Sequence, residues 1–229
     1  MIHAALVLAA ATTGPAKLPP RPPDATYSYA LRAAGVMLGT STVVVDGSAP
    51  GAIVVKESAS MELPRYTATS TMRYDAATLR ETGYTADFNL PSGAQHTDVT
   101  VKPGSVTVAV PGAGSADIPA DPSAPLELIG DNLVGSGVMV PAILHATGAK
   151  TFTLAVLSGA QALVATVVTD PLPSRPAGVS ATDVELVLDV GGIREIYWYD
   201  AATYVVRDVV IPSQQAEFRL TATARSGRS

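Results

Sequence analysis

Tyr66-Thr67-Ala68-Thr69-Ser70-Thr71-Met72-Arg73-Tyr74 alternates without a break. Successive side chains of an extended chain point to opposite faces. Tyr66, Ala68, Ser70, Met72 and Tyr74 therefore share one side, and Thr67, Thr69, Thr71 and Arg73 share the other. The same period sets Val106, Val108 and Val110 against Ser105, Thr107 and Ala109, and sets Val184, Leu186, Leu188 and Val190 against Glu185 and Asp189. A period of two with one apolar side predicts antiparallel strands that pack on one face and stay wet on the other.

The pattern predicts strands at 26–33, 36–46, 51–61, 65–74, 83–90, 94–102 and 104–110. It resumes at 150–157, with Phe152, Leu154 and Val156 inward, and continues at 161–169, 181–190, 193–200, 203–211 and 215–223. Asp46-Gly47 and Pro103-Gly104 are the sharpest hairpin signals. Ala113 to Pro125 reads as loop, because Pro119, Pro122 and Pro125 disfavour regular structure. Leu126 to Thr147 is the helical candidate: Leu126, Ile129, Leu133 and Val134 suit one helical face. Gly135, Gly137 and Pro141 divide it into two short helices, the second over about 139–146 and stopping at Gly148. One echo stands out. Tyr74-Asp75-Ala76-Ala77-Thr78 recurs as Tyr199-Asp200-Ala201-Ala202-Thr203, where Asp and Thr suit a turn that binds its own backbone. It reads either as two independent turns or as a duplicated strand–turn–strand unit.

The chain has 229 residues, 47% of them hydrophobic, enough for one β-rich domain with a sizeable core. The expected organisation is a signal peptide over 1–16, a Pro-rich spacer over 17–24, a single domain over 25–223 and a frayed tail over 224–229. Ile2 to Ala11 is an apolar run followed by small residues, like a signal peptide, although no Lys or Arg precedes it. The run is too short to span a bilayer, so export to the periplasm or the extracellular space is expected, with no membrane-spanning segment in the mature chain. A net charge of -5 argues against a nucleic-acid partner, which needs a basic surface. The absence of Cys excludes disulfides, thiolate metal sites and a Cys nucleophile.

No catalytic or metal-binding constellation is expected, and no cofactor. His96 and His145 are the histidines of the expected mature chain, too few and too scattered for a metal site. His145, near a helix end, suits the helix C-terminal dipole. Gly135-Ser136-Gly137 lacks a nucleophile elbow, so a triad of Ser136, His145 and Asp131 is a remote reading. Glu195 and Asp208 could meet across a hairpin, where exposed acids ordinarily serve solubility. Tyr197-Trp198-Tyr199 places Trp198 on one face and both tyrosines on the other. Trp198 then plugs the core beside Ile196 or lines a ligand cavity.

One apolar sheet face and one helical segment predict a mainly β fold. Its form is a curved antiparallel sheet, an open half-barrel, wrapped around that segment. A gutter filled incompletely leaves a groove, with Tyr29, Tyr66, Met72, Leu133, Met139, Leu144, Phe152 and Trp198 as candidate lining residues. The expected function is non-catalytic binding of a lipid or acyl chain, or of an envelope protein. The alternatives are a structural or adhesive β-sandwich or barrel without a cavity, and a hydrolase dependent on Ser136.

Three motifs carry a resemblance: Gly35-Val36-Met37-Leu38-Gly39-Thr40-Ser41, Tyr74-Asp75 through Thr78-Leu79, and Trp198-Tyr199-Asp200 through Val210-Ile211-Pro212. Together they resemble the exported bacterial half-barrel proteins of the DUF3108 type, remote relatives of the LolA/LolB lipoprotein carriers. The resemblance implies an open β gutter plugged by helix that handles lipid or lipoprotein acyl chains. This chain has less helix and fewer large aromatics than that pattern, which limits the cavity the resemblance implies.

Overall fold

A computed structural model describes residues 18–62, 65–102, 104–110, 114–119, 127–130, 134–156, 161–169 and 174–225. The N-terminal meander comprises β1 (Ala25–Ala33), β2 (Val36–Asp46), β3 (Ala52–Glu62), β4 (Arg65–Asp75), β5 (Glu81–Leu90), β6 (Gly93–Lys102), β7 (Ser105–Val110) and β8 (Gly114–Pro119). After β9 (Glu127–Gly130) a 3-10 turn at Gly137–Met139 leads into helix α1 (Val140–Thr147). A second meander follows: β10 (Thr151–Val156), β11 (Gln161–Val168), β12 (Asp183–Val190), β13 (Ile193–Asp200), β14 (Val206–Ile211) and β15 (Ala216–Arg225).

All the strands among the described residues belong to one 15-stranded sheet in the order β8-β7-β6-β5-β4-β3-β2-β1-β15-β14-β13-β12-β11-β10-β9. The two meanders are joined where β15 runs antiparallel beside β1. Among the described residues every pairing is antiparallel except that of β9 with β10. At the sheet's ends β8 comes against β11, and β9 against β5, so the sheet curls into a nearly closed barrel. The predicted fold is the observed one: a curved antiparallel sheet around one short helix.

The alternation seen in the sequence sets what the barrel encloses. Met72 and Tyr74 of β4 face in beside Val43 and Val45 of β2, Val55 of β3, and Val106 and Val108 of β7. Thr67, Thr69 and Arg73 face water. Helix α1 is inside: Val140, Ala142, Ile143 and Leu144 are buried in the same core. Pro141 starts the helix where an N–H is dispensable, and Gly148 ends it in the left-handed region, donating its N–H to the Leu144 carbonyl. His145 lies in the last turn, exposed and 5.3 Å from the ring of Tyr204.

Two expectations are corrected. Gly114–Pro119, read as loop, is strand β8, paired with β7; Pro119 is tolerated because it is the last residue of a strand at the sheet's end. Glu127–Gly130, read as the first helical half, is the parallel strand β9. A short apolar run looks the same at either period, and here the free side of β10 decides between them. Leu126 and Leu133, assigned to that helical face, lie outside the described residues, as do the expected signal peptide over 1–16 and residue 17.

The echoed turns are structurally equivalent. Asp75 Oδ1 accepts the N–H groups of Ala77 and Thr78, and Asp200 Oδ1 those of Ala202 and Thr203. Leu79 and Tyr204 then take left-handed φ angles of 56° and 58°. The bulges match as well: the register shifts between Arg73 and Tyr74 opposite β5, and between Trp198 and Tyr199 opposite β14.

Candidate functional site

Inside the barrel, β3 presents Ile53, Val55, Glu57 and Ala59 to the core, so a carboxylate stands where the pattern calls for an apolar residue. Glu57 is 3% exposed. Its Oε1 accepts the Val134 N–H at 3.1 Å, and its Oε2 accepts the Gly135 N–H at 2.6 Å. The Ser41 hydroxyl of β2 donates to the same carboxylate. Charge-assisted bonds to main-chain N–H groups are roughly twice as strong as neutral ones. Glu57 thereby fastens the segment leading into α1 to the barrel wall. A Cβ on Gly135 would meet Glu57 Oε2 and Met72 Cε at 2.6 Å, so glycine lets the segment approach this closely. Tyr29 lies nearby, its hydroxyl donating to the Val206 carbonyl at 3.0 Å. Burial, with smaller contributions from Tyr27 and the Glu57 carboxylate, holds that phenol far above its ordinary pKa.

Beside this fastened segment lies a cavity of about 170 Å3. Val134, Val140, Phe152 and Leu154 form part of its apolar lining, and Ser136, Glu195, Tyr197 and Gln214 its polar part. Tyr197 donates to Glu195 Oε2 at 2.8 Å. Burial raises the pKa of Glu195, against the pull of that hydrogen bond, and raises that of Tyr197 well above the usual phenol range. The site offers a small apolar chamber with one carboxylate–phenol pair in its wall.

The structure distributes the expected lining residues. Tyr29, Met72, Met139, Leu144 and Phe152 share the interior core, and Phe152 reaches the cavity. Tyr66 packs with Phe88 over Ala59 and Ala68 in a small separate cluster. Trp198 faces the opposite side of the sheet, with Val187 and Ile196 and against Val168, Val179 and Val210. The Arg175 guanidinium lies 4.4 Å above its ring. Leu133 is outside the described residues. Glu195 and Asp208 do not meet, because Glu195 lines the interior while Asp208 lies beside Trp198 in the β13–β14 ladder, on the outer face. Nor are they exposed strand acids, since Asp208 is fully buried and Glu195 partly so. Ser136 lines the cavity, whereas His145 lies on the exposed end of α1.

Sequence reasoning missed Glu57. Its signal was legible: an acid in phase with the apolar residues of a strand. Among the described residues no group of three His, Asp or Glu could hold a metal ion, and no helix is long and apolar enough to cross a membrane.

These features define a barrel-like protein with an internal, tethered helical plug. No family model matches the chain, and no curated protein matches it significantly. Among solved structures it is similar to a β-barrel-like protein of a domain of unknown function, DUF1849, from Brucella abortus. The TM-score is 0.53 and the identity 14%, over 92% of this chain and 100% of that one. At that identity the likeness shows the fold alone. It supports a barrel-like fold of unknown function, and neither DUF3108 specifically nor likeness to LolA.

Proposed function

We propose that this is an exported, non-catalytic binding protein whose interior cavity receives a short apolar group, such as the end of an acyl chain. The supporting observation is the chamber of about 170 Å3 between the tethered plug and strands β10 and β12–β15. Pockets for drug-sized ligands start near ~300 Å3, whereas a dry cavity of about 150 Å3 already admits benzene. The chamber therefore suits one chain terminus or a compact ring, not a whole lipid. Glu195 in its wall opposes an anionic headgroup, so an acyl chain enters tail first. Export rests on the apolar run Ile2 to Ala11 and the small residues that follow it. The motif resemblance to DUF3108-type proteins and LolA/LolB carriers is in keeping with acyl-chain handling.

Calorimetric titration with 1-hexanol tests the reading. The wild-type protein is expected to bind it saturably, and Leu154→Trp, which fills the chamber, to bind it at least about tenfold more weakly, a loss of roughly 1.4 kcal/mol. Equal binding by both proteins, or none by the wild type, would refute the assignment. Ser136→Ala is expected to leave any esterase activity of the preparation unchanged.

A further inference from the structure

The outer face of the barrel carries a second hollow, polar and about 270 Å3 in volume. Asp183 of β12, Asp200 of β13, Arg207 and Asp208 of β14 and Arg219 of β15 line it, under an exposed rim that includes Gly178, Ser180 and Thr182. Its floor is the Asp208 side chain, which is 0% exposed. Asp208 Oδ2 accepts from Arg219 Nε at 3.2 Å and Nη2 at 3.0 Å, and the same Nη2 donates to Glu217. Asp208 Oδ1 is buried and has no hydrogen-bond partner among the described residues. A buried acceptor without a donor is costly and calls for an explanation.

A second observation points the same way. Asp183 and Asp200 stand directly opposite each other in the β12–β13 ladder, an arrangement that destabilises a sheet when both are charged. Backbone N–H groups occupy only part of these carboxylates: Ser180 donates to Asp183 Oδ2, and Ala202 and Thr203 donate to Asp200 Oδ1. Both cations of the lining are already engaged, Arg219 by Asp208 and Glu217, and Arg207 by Asp200 at 3.6 Å. The hollow thus holds three carboxylates against two committed guanidinium groups.

We infer that this hollow binds a small primary ammonium ion, which donates to Asp208 Oδ1 and is held by the Asp183–Asp200 pair. An ammonium group supplies three N–H donors and one positive charge, matching a bare buried acceptor beside excess negative charge. Burial, the largest cause, together with Glu217, raises Asp208 to about 7 against the pull of Arg219. The groups facing it are Asp183, Asp200, Arg207, Glu217 and Arg219, with Arg175 above the neighbouring Trp198. Because ionised Asp208 adds its charge to that of the Asp183–Asp200 pair, affinity rises as pH rises through that value.

The test is calorimetric titration of the protein with n-butylammonium chloride, followed in parallel by the fluorescence of Trp198, the chain's single tryptophan. Wild type is expected to bind butylammonium saturably. Tetramethylammonium, which has no N–H, should bind at least about tenfold more weakly, and Asp208→Asn should lose a similar factor for butylammonium. Four results overturn the assignment: no saturable heat with butylammonium, equal binding of tetramethylammonium, unchanged affinity in the variant, or binding of calcium in place of the amine. Should Asp208→Asn fail to fold, the wild-type protein decides. Its affinity must fall roughly tenfold between pH 8 and pH 6, as expected for a group titrating near 7, and a flat profile refutes the site.

Discussion

Replacing Glu57 with leucine is expected to destabilise the protein by about 4 kcal/mol, read from the urea midpoint of circular-dichroism unfolding curves. Two of the groups bonded to this carboxylate are main-chain N–H groups, those of Val134 and Gly135. No second substitution can make them apolar. Deleting the acceptor leaves both donors and the Ser41 hydroxyl buried without it, at about 1–3 kcal/mol each. Glu57→Gln keeps one oxygen but turns an amide NH2 toward an N–H, so about half the loss is expected. A loss below about 1 kcal/mol for the leucine variant would show that the plug is held by α1 packing and not by this tether.

Gly39→Ala is expected to cost about 3 kcal/mol or more, measured as a fall in Tm of roughly 6 °C or beyond. A Cβ at Gly39 would run into the Ser60 carbonyl oxygen and stand 2.9 Å from Met61 Cα, both main-chain atoms of β3. Gly39 and Met61 are ladder partners, so relief requires parting β2 from β3. Gly135→Ala should cost less, because it crowds side-chain atoms and no main chain: Met72 Cε can give way, while displacing Glu57 Oε2 loosens only part of the tether. Nothing lies near Gly35, and alanine there is opposed only by its φ of +79°, for about 1 kcal/mol. If Gly39→Ala is no worse than Gly35→Ala, the close approach of the two strands is wrong.

Much of the architecture could be read from residues alone because the sheet obeys one simple rule. Thr67 to Tyr74 alternates in burial as it does in polarity, and the strand limits 36–46 and 193–200 coincide with β2 and β13. The glycine–serine motif at 35–41 also has a physical basis: Gly35 turns the β1–β2 hairpin, Gly39 permits a close approach, and Ser41 reaches Glu57. The failures occur where local pattern does not decide. Glu127–Gly130 becomes a strand through a partner chosen by tertiary structure, and Gly114–Pro119 through a free side of β7. The candidate lining was less legible, because parity assigns a face without saying which face encloses the cavity. Trp198 and Phe152 are both large and buried, yet they lie on opposite sides of the wall.

The pairing of β1 with β15 bears on biogenesis. Ser28 and Thr221 are bonded neighbours although 193 positions apart. During synthesis one side of β1 must stay without its permanent mate until the ribosome has delivered β15, 193 positions further along. Throughout that interval its open N–H and C=O groups offer a template for pairing with other nascent chains. Closing so distant a contact carries a large loop-entropy penalty, which predicts slow maturation and a need for protection before β15 arrives.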